Sequence, residues 1–187
     1  MQKKKNYNLQ PLDSYIDQAM YDPKNGYYIK KNPFGARGDF ITSPSISIIF
    51  SEVLTVWIIL FWKNLKSPKK FNVVELGAGN GDMILEILKT SKKFENFKKS
   101  TKFYIYEKSE FLIKLQKKKL KNYSVKWIKD IKELGKNNTL FIGNEFLDSF
   151  PIKQFEKIGE KWFEKYVKEN SRKRKLVDIK TNIEEYK

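Results

Sequence analysis

The chain contains no cysteine and no histidine among its 187 residues. Without cysteine there is no disulfide framework and no thiolate metal site. Without histidine there is no imidazole base, no serine–histidine triad and no imidazole metal ligand. Any proton transfer therefore falls to carboxylates, lysine, tyrosine or water. Arginine is scarce, occurring only at positions 37, 172 and 174, so the 38 basic residues that face 22 acidic ones are almost all lysine. The net charge of +16 is spread through every segment, together with asparagine and isoleucine, which reads as compositional bias rather than one binding face. A basic groove for nucleic acid stays open as a second reading, since the 15% aromatic content would supply stacking partners. Long apolar runs are lacking too. The most apolar segment, Ile46 to Trp62, is interrupted by Ser47, Ser51, Glu52 and Thr55 and is short for a membrane span. The first five residues, three of them lysine, have no apolar signal core. These features predict a cytoplasmic protein, or a matrix one in a mitochondrion, with a length that suits one domain and a real core.

What is present concentrates around residues 71–88. A short apolar run, Phe71 to Leu76, is followed by glycines at 77, 79 and 81 and then by Met83, Ile84, Leu85, Ile87 and Leu88 at helical spacing. The pattern reads as strand, tight glycine loop, helix, with Asp82 in the first turn. In open α/β sheets such a loop lies at the carboxyl end of a strand, where ligands bind. The spacing is G-x-G-x-G rather than the G-x-G-x-x-G of dinucleotide sites, and an acid, Glu75, stands two positions before the first glycine. A carboxylate there suits a cationic ligand better than a phosphate. The alternative is a plain βα turn that binds nothing. A second strand candidate, Lys102 to Tyr106, ends in Glu107, which can accept from a ribose diol or simply favour the next helix dipole. The pattern E-x-G-x-G-x-G resembles the first motif of class I S-adenosylmethionine (SAM) methyltransferases; Glu107 does not separate that ligand from NAD, whereas the glycine spacing does.

Taken in order, residues 1–11 are a basic lead-in expected to fray. A short amphipathic helix is predicted over 12–21, with Asp13 or Ser14 as cap. Asp22 to Gly26 is turn chemistry, and Tyr27-Tyr28-Ile29 reads as a short strand or an aromatic clamp. The loop 32–44 carries Phe34, Phe40 and Ile41 as well as its prolines and glycines, so it is expected to pack onto something. Ser43 and Pro44 start the longest helix, about 44–63, whose apolar and aromatic stripe is assigned to the core. Then strands near 71–76, 102–107, 123–128 and 139–143 alternate with helices near 82–91, 109–120 and 130–134, which implies a parallel sheet. The run 92–102 reads as a solvated helix end and loop. The fourth strand delivers Asn144-Glu145-Phe146-Leu147-Asp148 to the same sheet edge as Glu75 and Glu107. Asn144 and Asp148 either cap a short helix or bind a methyl acceptor. From Ile152 the pattern alternates around Gly159, as in an antiparallel hairpin or three-strand meander. The predicted division is an N-terminal helical extension with a lid loop over 1–63, a Rossmann-like core over 71–151, and a hairpin with a tail over 152–187, forming one domain overall.

Together these blocks resemble the class I SAM-dependent methyltransferase family of mitochondrial complex I assembly factor 7, called MidA-type in microbes. The resemblance rests on Asp22-Pro23 through Gly26-Tyr27-Tyr28, on Phe34-Gly35, on Gly38-Asp39-Phe40-Ile41-Thr42-Ser43-Pro44, on Glu75 through Gly81, on Tyr106 to Ser109, and on Asn144 to Pro151. It covers about 12–167. It implies a Rossmann-like methyltransferase fold, SAM as cofactor, and a protein substrate with a target arginine. Family members run longer and carry strands after the fourth, so the sheet is expected to be incomplete. By the resemblance, Glu75, Gly77 and Gly79 would hold the methionine end of SAM and Glu107 the ribose, with Asn80 also binding the cofactor. Gly38, Asp39 and Thr42 would come from the lid, with Asp130 also in the cofactor set, and Asn144, Glu145 and Asp148 would face the acceptor. Glu145 is the expected proton acceptor.

Overall fold

The computed structural model describes residues 7–30, 33–34, 38–40, 46–170 and 173–186. In chain order its elements are β1 (Asn8–Pro11), α1 (Leu12–Tyr21), α2 (Tyr27–Lys30), α3 (Ile48–Asn64), β2 (Phe71–Leu76), α4 (Asp82–Ser91), α5 (Glu95–Ser100), β3 (Thr101–Tyr106), α6 (Glu110–Lys119), β4 (Val125–Ile128), β5 (Asn138–Ile142), β6 (Phe155–Ile158), β7 (Lys161–Glu169) and β8 (Arg174–Thr181). Short 3-10 turns lie at Ile131–Leu134, Phe146–Ser149 and Ile183–Tyr186. Backbone contacts divide the chain into two compact units, Lys31–Phe146 and a second made of Met1–Lys30 with Leu147–Lys187.

The first unit is a mixed α/β layer around a four-stranded parallel sheet in the order β4-β3-β2-β5. The central strand β2 has five of its six residues buried, as expected for a strand covered on both faces. Pleating sends alternate residues to opposite faces. Phe71, Val73, Phe103 and Ile105 join Ile58 and Trp62 of α3, Ile84 and Ile87 of α4, and Phe97 of α5 in one cluster. Val74 and Tyr104 point the other way, toward Ile128 and Leu134. Each fully buried aliphatic side chain here is worth roughly 1.5–3 kcal/mol relative to exposure. Asn72 and Glu75 are the buried polar residues of β2. The Asn72 amide donates to the Leu134 carbonyl and to Thr139 Oγ1, both at 3.2 Å, which ties the turn after β4 to β5.

The second unit is an antiparallel sheet built on β7. Strand β8 runs along one side of it, while β6 and β1 share the other side end to end, with β6 opposite 161–164 and β1 opposite 166–169. Glu164 of β7 is buried and accepts from Lys153 Nζ at 2.7 Å and from the Tyr186 hydroxyl at 3.1 Å. Lys153 also reaches Asp13 of α1 at 3.3 Å.

Four local expectations are revised. Residues 8–11 form a strand rather than a frayed lead-in, because β7, some 150 residues away, supplies the ladder. Tyr27–Lys30 is a single helical turn, not a strand. The run 92–102 contains α5, anchored by the buried Phe97. The largest departure concerns α3. Its core-facing side is Ser51, Thr55, Ile58, Ile59 and Trp62, whereas Ile49, Val53, Val56, Trp57 and Leu60 are exposed. The helix is apolar nearly all round, so periodicity alone does not choose a face. The side bearing small residues is the one turned inward: Ser51 and Thr55 are fully buried, and the Thr55 hydroxyl bonds back to the Ser51 carbonyl at 2.6 Å.

Candidate functional site

The register of the parallel sheet brings the strand ends together. Leu76 pairs with Tyr106 and Tyr106 with Ile128, while Glu75 pairs with both Ile105 and Ile142. The residues that follow each strand therefore emerge at one edge: the glycine loop from β2, Glu107 from β3, Asp130 from β4, and Asn144 with Glu145 from β5.

The glycine loop is held by its own backbone. Gly77 N–H donates to the Tyr106 carbonyl at 2.9 Å, Gly81 N–H to Ala78 at 2.7 Å, and Leu85 N–H to Gly81 at 3.2 Å. Gly77 and Gly79 have φ of 64° and 51°, in the left-handed region where a side chain is strained. Space is short as well. A methyl at 77 would stand 2.7 Å from the Phe146 ring, and one at 79 would stand 3.4 Å from the Phe34 ring. At 77 both space and backbone exclude a side chain, while at 79 and 81 the left-handed backbone is what favours glycine.

Residue 34 meets this loop, and residues 38–40 lie beside it. Phe34 and Phe40 form a β-bridge, and Phe40 N–H donates to the Pro33 carbonyl at 2.9 Å. Asn80 donates to the Phe34 carbonyl at 3.3 Å. Gly38 and Asp39 lie within this bridged turn, with Asp39 exposed. Thr42, the remaining lid residue, lies outside the described residues.

Two carboxylates define the electrostatics. Glu75 is 3% exposed, and its Oε2 has no hydrogen-bond partner among the described residues. Burial pushes its pKa up to about 8, against a backbone donor at Ile84 and with the charges of Asp82 and Glu107 adding to the rise. Glu107 also sits above the usual carboxylate range because it is largely desolvated. Its Oε1 accepts from the Lys108 and Ser109 N–H groups, both at 2.9 Å, and its Oε2 accepts from Gln116 Nε2 at 3.3 Å.

The other expected residues have mixed surroundings. Asp130 N-caps the 3-10 turn, its Oδ1 accepting from Lys132 N–H at 2.8 Å while Glu133 reaches back to Asp130 N–H at 3.1 Å. Asn144 is half-buried and Glu145 exposed, the latter at φ 53°, one of three described non-glycine residues with positive φ. Asp148 is exposed on the 3-10 turn Phe146–Ser149, in the other compact unit. Sequence reasoning missed Gln116, which is completely buried and touches both the glycine loop and Glu107. The signal was present: Leu112, Ile113, Gln116 and Leu120 share one buried stripe of α6 and its end, and Gln116 is its only amide.

Comparison with known proteins bears on what this edge binds. A family model described as "Putative S-adenosyl-L-methionine-dependent methyltransferase" matches residues 53–186. The chain belongs to this family. Among curated members, "Protein arginine methyltransferase NDUFAF7 homolog, mitochondrial" of Drosophila melanogaster is 30% identical, the match covering 82% of this chain and 40% of the relative. The Caenorhabditis elegans protein of the same name is 34% identical over 82% of this chain and 41% of its own. A solved structure from Burkholderia thailandensis, bound to S-adenosyl-homocysteine, shares the fold with a TM-score of 0.78 at 24% identity, covering 95% of this chain and 47% of that one. The chain thus spans about two fifths of the length of the curated relatives it matches. No helix among the described residues is long and apolar enough to cross a membrane.

Proposed function

We propose that the chain binds SAM at the carboxyl edge of its parallel sheet and provides the cofactor half of a protein-arginine methyltransferase site. The observation that carries this reading is the buried Oε2 of Glu75, two residues before the glycine loop, which has no hydrogen-bond partner among the described residues. An unpaired buried carboxylate is costly unless a cation or donor meets it. A ligand with an ammonium and a sulfonium and no phosphate fits that demand, whereas a pyrophosphate does not.

When bound, SAM supplies an electrophilic methyl group. The chain's own residues bind and orient. Glu75 and the backbone of 77–81 hold the charged end, with Asn80 keeping the 33–40 segment, and so Gly38 and Asp39, against the loop. Glu107 accepts from the ribose. Asn144 positions an acceptor N–H, and Glu145 takes the proton that a guanidinium gives up on transfer. The left-handed backbone at Glu145 supports this role, since such strain, about 1 kcal/mol or more, gathers at functional sites. Asp130 joins the set by resemblance alone. The family relatives are designated mitochondrial, and we place the reaction in a matrix or bacterial cytoplasm.

Calorimetry on the wild type and on Gly79→Val tests the reading. SAM binding that Gly79→Val abolishes, with no NADH binding, is the expected result. NADH binding, or salt-dependent RNA binding without SAM binding, would overturn it. Methyl transfer to an arginine peptide, lost in Glu145→Gln at unchanged SAM affinity, tests the acceptor half.

A further inference from the structure

Gln116 has no solvent exposure, yet it carries two donors and an acceptor. All are used. Its Nε2 donates to the Gly79 carbonyl at 2.9 Å and to Glu107 Oε2 at 3.3 Å, and its Oε1 accepts from Trp127 Nε1 at 2.8 Å. The three partners fix the amide. Rotated by half a turn, its oxygen would face a carbonyl and a carboxylate, and its N–H groups would face the indole N–H. Its stem also packs 3.5 Å from where a side chain on Gly81 would begin.

From this geometry we infer that Gln116 is a positioning residue, which locks the Glu107 carboxylate to the glycine loop so that the two ends of an adenosine ligand are read by one rigid body. The inference rests on the SAM reading above. With Lys108 and Ser109 on Oε1 and Gln116 on Oε2, three of the roughly four acceptor positions of Glu107 are filled before any ligand arrives. The carboxylate therefore meets a ribose hydroxyl in a set orientation, without an ordering cost at binding. Trp127 completes the relay by holding the amide from β4. Gln116 acts through Glu107 and Gly79 and is not itself a catalytic residue.

A double-mutant cycle on SAM affinity, measured by calorimetry with the 187-residue chain, tests this. Gln116→Met keeps the volume and removes the hydrogen bonds; it should weaken SAM binding about tenfold, because a released Glu107 side chain must then be ordered when the ligand binds. In a Glu107→Ala background the same change should weaken binding much less, so that the double variant loses at least threefold less than the product of the single losses. Thermal stability should fall in either case, since buried partners are left unsatisfied; multiplicative losses in the cycle mark a merely structural role and would overturn the inference. Should Gln116→Met fail to fold, Trp127→Phe replaces it in the cycle: a two- to threefold loss that vanishes without the Glu107 carboxylate supports the relay, and a loss that persists refutes it. If the wild-type chain binds no SAM, the cofactor reading falls and this inference falls with it. If the wild type binds and the cycle is multiplicative, only the positioning role fails.

Discussion

Replacing Glu75 with glutamine should make the ligand-free protein more stable at neutral and alkaline pH while weakening its ligand binding. Glu75 is buried, has no partner on Oε2 among the described residues, and has its pKa raised from 4.5 to about 8. A carboxyl whose native pKa exceeds its unfolded one binds more protons in the native state throughout the window between those values. Stability therefore falls as pH rises from 4.5 toward 8, the reverse of the usual salt-bridged carboxylate. Each pH unit inside the window is worth about 1.4 kcal/mol, so between about pH 5 and 8 the wild type loses roughly 3–4 kcal/mol that Glu75→Gln keeps. The amide preserves the shape and removes only the charge. Urea unfolding of both proteins without ligand, at several pH values across this window, isolates the effect, because titrating groups remote from Glu75 cancel in the difference; only Asp82 and Glu107, which interact with it, leave a residue. The stability gap, variant minus wild type, should widen steadily with pH. A gap that stays constant would show that Glu75 is not held protonated by burial, and the argument from its orphan oxygen would fail. In the same variant SAM affinity should drop, since the cation loses its counter-charge.

Proton linkage gives a companion result. At neutral pH, SAM binding to the wild type should release more protons than binding to Glu75→Gln, as read from calorimetry in buffers of different ionisation enthalpy; equal release would refute the assignment. Gly77→Ala should cost about 1–2 kcal/mol of stability and abolish SAM binding, because the new methyl meets the Phe146 ring at 2.7 Å on a left-handed backbone. Wild-type affinity in that variant would show that the loop is not the ligand cradle. In the antiparallel unit, Lys153→Met should cost about 2 kcal/mol by leaving Glu164 buried with the Tyr186 hydroxyl as its one side-chain donor among the described residues. Adding Glu164→Gln should recover much of that loss in chemical denaturation, and no recovery would place the cost elsewhere.

Local chemistry wrote much of this protein into its amino-acid order. The run Phe71 to Leu76, the three glycines and the helix that follows are legible because strand, turn and helix differ in period and in tolerated φ, which depend on near neighbours. The alternation that follows implies a parallel sheet, and a parallel sheet puts Glu75, Glu107 and Asn144 at one edge. Long-range packing settled the rest. The pairing of β1 with β7 needed a partner far along the chain. Helix α3 is apolar on every side, and close approach by its small residues, Ser51 and Thr55, selected which face turned inward. The raised pKa of Glu75 and the triple role of Gln116 arise from desolvation and from partners on three different segments. Neither property belongs to a residue or its neighbours in sequence. Both exist only once water has been excluded and distant groups have been brought within hydrogen-bonding reach.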